Sequence, residues 1–293
     1  MLRSVISDIY AKCFYHVRKC FPLYKKVMNS VETLNYIYEK RLSVSRYGDG
    51  ELAIMRKYSI GFQKYNPTLS QRLKEIANER NEHVLVCIPY PLVNCDDLKH
   101  KSQQFWKHEG YSKYHLWIKY FHNQKILGDT QISRFYIDFK DGNKNAGQIL
   151  PLWFKIWENR NILIVEGKDT RLGVGNDLLK KARSVRRIIA PSLNAFEKYE
   201  VILDTILQNA EKDDLILLAL GPTATVLAVD LSKQGLQAID MGHIDIEYEW
   251  FLMNAQDKVK IANKAVNEAP GGLKVEAAVN NEIYNNQIIG EIH

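Results

Sequence analysis

Runs of consecutive apolar residues, alternating with stretches of helical spacing, constrain the fold of this chain more than any other feature. Five runs are rich in β-branched residues and a weaker sixth follows: RLSVSRYG (41–48), HVLVCIPYP (83–91), NILIVEG (161–167), RIIAPS (187–192), DLILLALG (214–221) and LQAIDMG (236–242). Continuous apolar runs are typical of strands covered on both faces. Helical patterns lie between them: SQRLKEIANERN, GNDLLKKARSV, AFEKYEVILDTILQNA and TATVLAVDLSKQG. This alternation predicts an α/β fold with a Rossmann-like, doubly wound, mostly parallel sheet.

Residues 96–150 differ from the rest because aromatic residues alternate there with lysines and histidines. The aromatic residues are Phe105, Trp106, Tyr111, Tyr114, Trp117, Tyr120 and Phe121. We expect a helical, aromatic-rich insertion in the Rossmann-like body. Its rings suit three uses, which the sequence leaves open: an ordinary core of amphipathic helices, a lid over a sugar, or stacking on single-stranded nucleic acid.

The 293 residues suit one large domain or two small ones. We divide the chain into an N-terminal helical segment (1–40), the Rossmann-like domain (41–255) and a polar C-terminal tail (256–293). The tail ends in NNEIYNNQIIGEIH, which is typical of a segment that docks late or not at all.

The N-terminal segment has helical spacing, because Val5, Ile9, Cys13 and Val17 recur every four residues. Basic residues lie nearby: Lys12, Arg18, Lys19, Lys25 and Lys26. Such a helix either packs on the domain or lies on a membrane surface. We find neither a membrane-spanning run nor the apolar core of a secretory signal.

The cysteines and the net charge say little about the cellular compartment or the ligand. Cys13, Cys20, Cys87 and Cys95 show no CxxC spacing, so we expect reduced thiols and a cytoplasmic protein, with the inner face of the membrane as an alternative. The net charge of +6 favours anionic ligands without separating nucleic acid, phosphate esters and membranes. The basic run KKARSVRR (180–187) is predicted to form a solvated helix face.

Four of the predicted strands end in glycine followed by polar or charged residues. The segments that follow are DGE, KDTRLGVGNDLL, PTATVLAVDL and HIDIEYEW. In an open parallel sheet, ligands bind outside the carboxyl ends of the strands. We therefore expect these four loops to converge on one binding crevice.

Two of the loops suit a phosphate group. Gly221 ends a strand, and the residues after it leave a helix N-terminus open; they are Pro222, Thr223, Ala224 and Thr225. Arg171 lies beside Gly173 and Gly175, where backbone can approach an anion closely. Neither GxGxxG nor a Walker A loop is complete, so a mononucleotide diphosphate fits better than a dinucleotide. An ordinary capped strand-to-helix turn is the alternative at both places.

The DGE segment places two carboxylates, Asp49 and Glu51, just after a strand and close to Arg46. Mg²⁺ and Mn²⁺ prefer such oxygen ligands together with substrate phosphates. The alternative is an acidic turn in which Gly48 and Gly50 adopt positive φ.

The segment GHIDIEYEW carries His243, Asp245, Glu247 and Glu249. If it is extended, strict alternation puts all four side chains on one face. A face that is this acidic indicates cation binding or acid/base chemistry.

These residues also carry a family resemblance. SRYGDGE, QKYNPTLSQRLKEI, SRFYID, EGKDTRLGVGNDL, APSLNAFEKY and LGPTATVLAVDLSKQGLQAIDMGHIDIEYEWF resemble the bacterial glycosyltransferases of GT-D fold, from about residue 40 to residue 253. The resemblance implies a UDP-sugar donor, with glucose as the sugar, and an acceptor in a surface glycan or a glycosylated adhesin. SRFYID departs from the family pattern, because Phe135 stands where proline is expected.

The resemblance also implies roles for individual residues. Asp49 and Glu51 form the DxE motif that holds Mn²⁺ or Mg²⁺, with His243 as a further ligand. The nucleotide-sugar site takes in Arg46, Gly48, Arg171, Gly173, Gly175, Asn176, Gly221, Pro222, Thr223, Ala224 and Thr225. The catalytic group, which deprotonates the acceptor hydroxyl, is sought among His243, Glu247 and Glu249.

Two other functions remain open on the sequence. One is a metal-dependent nucleotidyltransferase or phosphate-ester hydrolase, and the other is a non-catalytic module that binds anions or nucleic acid. For the glycosyltransferase we expect no nucleic-acid partner. Peripheral membrane contact through the basic N-terminus and a homodimer are both compatible with the sequence.

Overall fold

A computed structural model describes residues 10–11, 13–17, 26–272, 275 and 281–293. In this part of the chain, eight strands form one sheet in the order β3-β2-β1-β7-β6-β4-β5-β8, and every neighbouring pair is parallel. The strands are β1 Ser43–Arg46, β2 Val84–Ile88, β3 Gly128–Asp129, β4 Asn161–Gly167, β5 Ser184–Ala190, β6 Leu215–Ala219, β7 Gln237–Asp240 and β8 Ile288–Glu291. The predicted α/β fold and all six predicted strands are confirmed.

Helices cover both faces of the sheet, as continuous apolar strands require. They are α1 Ser30–Lys40, α2 Asp49–Met55, α3 Pro67–Asn78, α4 His100–Phe121, α5 Gly142–Trp157, α6 Tyr199–Asn209, α7 Pro222–Lys233, α8 Ile244–Leu252 and α9 Glu282–Gln287. Within β4, Leu163 and Val165 join the core beneath α2, α3, α4, α6 and α7. Ile162 and Ile164 join the opposite core, beneath α1, α5 and α8. Strand residues therefore alternate between two apolar layers.

The two outermost strands were not predicted. β3 has only two residues, and β8 comes from the polar segment assigned to the tail. β8 pairs with β5 at the edge of the sheet, and its residues alternate between half-buried and exposed. The predicted boundaries at residues 40 and 255 remain predictions, although α1 packs on α5 and β8 completes the sheet.

The helix predicted from GNDLLKKARSV is wrong, because residues 172–181 form turns and bends and β5 begins at Ser184. The predicted solvated face of KKARSVRR is therefore wrong as well. Arg187 is 2% exposed and pairs with Glu166 at 2.6 Å, and Arg186 pairs with Asp214 at 2.6 Å. These arginines lie on a strand, where Glu166 of the neighbouring β4 and Asp214, just before β6, are in reach.

The aromatic segment is mainly core. Tyr114, Trp117 and Phe121 of α4 are buried in the layer beneath α3 and α7, whereas Phe105 is 47% and Tyr111 40% exposed. The predicted helical insertion is confirmed as α4 and α5, and β3 between them extends the sheet.

The predicted apolar face of the N-terminal helix is only partly described. Residues 10–11 and 13–17 are helical, but Cys13 and Val17 are exposed while Ala11 and Tyr15 are buried. The packed face is therefore not the predicted one. Val5, Ile9 and the basic residues Lys12, Arg18, Lys19 and Lys25 lie outside the described residues. In the part of the chain that the structure describes, no helix has both the length and the apolar character needed to cross a membrane.

Candidate functional site

The loops after β1, β4, β6 and β7 lie along one edge of the sheet, because all four strands are parallel and β1, β7, β6 and β4 are consecutive neighbours. Side chains join the loops. The Arg46 guanidinium at the end of β1 bonds Asp240 at the end of β7 at 2.9 Å. The Thr225 hydroxyl of α7 donates to the Arg46 carbonyl at 3.0 Å. The predicted convergence of these loops is confirmed.

Arg46 is held from several sides at this edge. Its guanidinium also donates to the Ser133 hydroxyl and, at 3.4 Å, to the Thr130 carbonyl. Gly242 has a φ of +47°, and a Cβ added there would lie 1.8 Å from Nη2 of Arg46. Burial raises the pKa of Asp240, while Arg46 opposes that shift. Glycine at 242 is therefore required for the arginine to reach across the crevice.

The DGE carboxylates lie on the first turn of α2. Gly48 has a φ of −117° and Gly50 lies within the helix, so the alternative of an acidic turn with positive φ at both glycines does not apply. Glu51 Oε2 accepts from the Gly48 N–H at 2.7 Å, and Asp49 is exposed. Burial raises the pKa of Glu51 to about 7, whereas the Gly48 bond and Arg46 lower it. The charge of Arg46 therefore acts on at least one of the two carboxylates, Glu51.

This donor set fits a divalent cation only in combination with a substrate. Among the described residues, no three His, Cys, Asp or Glu side chains gather closely enough to hold a metal ion. Hence His243 is not brought together with Asp49 and Glu51 into a complete site. Magnesium and manganese commonly use one or two carboxylates and complete their shell with phosphate and water.

The helix start after β6 is less open than the sequence indicated. Gly221 has a φ of +54°, and a Cβ there would lie 2.5 Å from the ring of Phe62. Four residues of the first turn of α7 are buried: Pro222, Thr223, Ala224 and Thr225. The buried Thr223 hydroxyl has no hydrogen-bond partner among the described residues. Phe62 therefore borders this phosphate-binding candidate.

The loop after β4 turns its polar groups toward α8. Gly173 and Gly175 have φ values of +73° and +83°. The Gly173 N–H donates to Asp245 at 2.8 Å, and Asn176 donates to the same Asp245 oxygen at 2.9 Å. Arg171 donates to the Asn263 carbonyl at 2.8 Å. The Arg171 guanidinium therefore has a neutral partner, whereas the Gly173 N–H is already used by a carboxylate.

GHIDIEYEW is a helix, so the predicted single acidic face is wrong. Asp245 and Glu249 are four residues apart on α8 and share one face. Both bind the buried ammonium of Lys264, at 2.7 Å each, and Asn176 also donates to Glu249 at 2.7 Å. This arrangement gives Glu249 an internal partner.

Glu247 lies on a different side of α8 and is fully buried. Its Oε2 accepts the backbone N–H groups of Tyr136 and Ile137 at 2.8 and 3.0 Å. Its Oε1 has no hydrogen-bond partner among the described residues. Burial raises the pKa of Glu247 to about 7, and those backbone bonds oppose the shift. Glu247 therefore holds the 134–138 loop against α8.

His243 lies at the N-terminus of α8 within a charged cluster. Its Nε2 is 3.5 Å from Glu268, which also pairs with Arg134 and, at 2.6 Å, with Lys258. Burial and the Arg134 charge lower the pKa of His243 to about 3, so the imidazole is neutral near pH 7. Arg134 lies in the SRFYID segment, where Phe135 is buried in the core.

Several residues of this edge were missed by the sequence interpretation. They are Lys258, Lys264 and Glu268 from the predicted tail, together with Asp240 and Ser133. Asp240 had a local signal, since it is a charged residue near the end of an apolar run. Lys264 and Glu268 had none, because their partners lie at least 10 residues away in sequence.

Comparisons with known proteins agree with this geometry. The family described as glycosyltransferase GT-D fold matches residues 44–269. A probable glycosyl transferase Gly of Streptococcus gordonii is 39% identical over 91% of this chain, and glycosyltransferase GlyD of Streptococcus pneumoniae is 38% identical over 89%. The chain spans only 39% and 32% of the lengths of those two proteins.

Two solved structures are similar over 92% of this chain. One, described as domain of unknown function 1792 with a distinct glycosyltransferase fold, has a TM-score of 0.85, 39% identity and 96% of its own length covered. The other, a new glycosyltransferase (DUF1792) from Streptococcus sanguinis, has a TM-score of 0.84, 38% identity and 99% covered. The chain therefore belongs to the glycosyltransferase family of GT-D fold.

Proposed function

We propose that this glycosyltransferase transfers a hexose, glucose in the first instance, from a UDP-sugar to a glycan or glycoprotein acceptor with Mn²⁺ or Mg²⁺ as cofactor. One observation carries the proposal. Arg46, Asp49 and Glu51 leave β1 at the edge where the loops of β4, β6 and β7 also end. A cation-binding carboxylate pair beside an arginine suits a sugar attached to a diphosphate.

The donor side is built from groups that a diphosphate can engage. Arg46 is fixed by Asp240 and remains partly accessible, with a side chain 12% exposed. Arg171 bonds only a neutral carbonyl in the contacts observed, and a phosphate is a stronger partner for a guanidinium. The first turn of α7 adds backbone N–H groups and the positive end of a helix dipole. Phe62, above Gly221, offers an aromatic face to a base or ribose.

Asp49 and Glu51 would hold the cation. Asp49 is exposed, and Glu51 uses one oxygen for the Gly48 N–H, so the other is left for a ligand. A bound cation would neutralise negative charge on the UDP leaving group. Burial raises the pKa of Glu51, and a cation bound there would favour its ionised form.

The three candidate catalytic groups differ in what they can reach. Glu249 is paired with Lys264, and Glu247 is buried on two backbone amides. His243 has a side chain 24% exposed and lies at the crevice. We therefore assign substrate contact to His243, as a neutral hydrogen-bond partner, and give Glu247 and Glu249 the role of holding the site together.

The test is release of UDP from UDP-glucose, with and without Mn²⁺. Asp49→Asn should abolish the Mn²⁺-dependent release, because it removes a charged ligand from an exposed position. Asp213→Asn is the matched control, since Asp213 is exposed at the opposite end of β6. Equal UDP release by both variants would refute the metal assignment. Release of phosphate or pyrophosphate in place of UDP would indicate a different phosphate-ester enzyme.

A further inference from the structure

A polar cleft of about 280 Å³ lies between residues 136–143 and residues 254–256. Its walls include the aromatic side chains of Tyr136 and Phe139 and the amide side chains of Asn143, Asn254 and Gln256. The volume is just below the range of roughly 300–1,000 Å³ for small-molecule sites. It therefore has room for one sugar unit and not for a nucleotide sugar.

The polar groups of this cleft are only loosely engaged with one another. The Asn143 amide and the Tyr136 hydroxyl both donate to Oδ1 of Asn254 at 3.3 Å, which is long for a hydrogen bond. Asn254 has a φ of +49°, so its backbone is held in a turn directly after α8. An amide and a hydroxyl group that share one acceptor can exchange it for ligand hydroxyls at low cost.

The charges around the cleft do not form an anion cradle. Lys99 donates to the Gln256 carbonyl at 3.0 Å, and Lys140 donates to the Asp96 carbonyl at 2.7 Å. The Asp141 carboxylate accepts the Lys144 N–H and so caps the N-terminus of α5. The lysines are thus directed to backbone carbonyls, and the remaining donors and acceptors are neutral. Neutral amides beside aromatic rings suit the hydroxyl groups and C–H faces of an uncharged sugar.

The cleft shares two elements with the His243 cluster. Tyr136 is two residues after Arg134, which pairs with Glu268, and two residues span at most about 7 Å. His243 precedes the first residue of α8, and Asn254 comes just after its end. A nine-residue helix is about 14 Å long, so a short oligosaccharide could extend from the imidazole to the cleft.

We propose that this cleft binds a neutral sugar unit of the acceptor glycan, within a short oligosaccharide's length of the unit whose hydroxyl group receives the hexose. The inference rests on the proposed function, because it takes His243 as the reacting end of the site. It adds a separate acceptor subsite, formed by the Tyr136–Asn143 loop and the turn at Asn254.

The test measures binding of two neutral disaccharides, cellobiose and N,N′-diacetylchitobiose, by saturation-transfer NMR in the presence of saturating UDP. Asn143→Ala removes one exposed amide from the cleft. Asn123→Ala is the matched control, because its amide likewise bonds another asparagine, Asn78, but at a position remote from the cleft. Tyr136→Phe removes only the hydroxyl group. UDP affinity is measured on the same preparations by calorimetry.

We expect at least one disaccharide to bind the wild type and Asn123→Ala equally, and to bind Asn143→Ala and Tyr136→Phe at least fivefold more weakly. UDP affinity should be the same in all four proteins. Equal disaccharide affinity in all four, or no binding of either disaccharide to the wild type, would overturn the subsite while leaving the donor proposal intact. Failure of the wild type to bind UDP would instead refute the proposed function.

Discussion

Replacing Lys264 with methionine should destabilise the protein strongly, because it leaves two carboxylates without their cation. The Lys264 ammonium is 4% exposed and lies 2.7 Å from both Asp245 and Glu249. Removing one partner of a buried ion pair costs about 3–5 kcal/mol. Asn176 and the Gly173 N–H still donate to these carboxylates, so we expect the lower end of that range. A loss of about 3 kcal/mol corresponds to a fall in Tm of about 6–12 °C.

Urea denaturation at pH 7, followed by circular dichroism, measures this loss of unfolding free energy. Lys260→Met is the control, since Lys260 is exposed on the same segment. The double variant Lys264→Met, Glu249→Gln should recover part of the loss, because it removes one of the two orphaned charges. A penalty below about 1 kcal/mol for Lys264→Met would refute our view that this network holds α8 to the β4 loop.

Three further changes address the crevice. Gly242→Ala should displace Arg46 and weaken UDP binding at least tenfold, as measured by calorimetry. Gly235→Ala is the control, since Gly235 has a φ of +78° and open space around it, and it should leave UDP affinity unchanged. Equal UDP affinities of the two variants would contradict the claim that Gly242 makes room for Arg46. His243 has a folded pKa of about 3, below its unfolded value, so the unfolded state binds the extra proton and stability falls as pH drops below about 6.5. The wild type should lose unfolding free energy between pH 7 and pH 5 in urea titrations, and His243→Gln should lose about 1–2 kcal/mol less. If the variant and the wild type lose the same unfolding free energy over this range, the imidazole titrates normally. Glu247→Gln should lower the unfolding free energy by less than about 1 kcal/mol and keep most UDP-release activity, because its amide oxygen can still accept both backbone N–H groups. Complete loss of turnover in a folded variant would make Glu247 a catalytic residue instead.

The sheet and the place of the site followed from the sequence because both depend on local patterns. A strand that is buried on both faces needs a continuous apolar run, and six such runs became strands. Four of them end in glycine and polar residues, and parallel strands bring those ends to one edge. The positions of Asp49, Arg171 and Gly221 along the crevice were therefore predictable without coordinates, as was the family.

The partners within the site were decided by tertiary structure. GHIDIEYEW has both helical and alternating character, and its packing against the 134–138 loop makes it a helix that separates Glu247 from Glu249. The turns at residues 172–181 replace a predicted helix because Glu166 and Asp245 bind the loop backbone.

The C-terminal segment shows most clearly that the sequence does not reveal tertiary partners. Residues 256–293 are polar in sequence and were predicted to be a tail, yet they supply Lys258, Lys264 and Glu268 to the site and β8 to the sheet. Local spacing indicates which face of an element is apolar, but it carries no information on which distant charge a side chain will meet. A buried ion pair is selected by desolvation in the folded chain, and only the fold brings its two partners together.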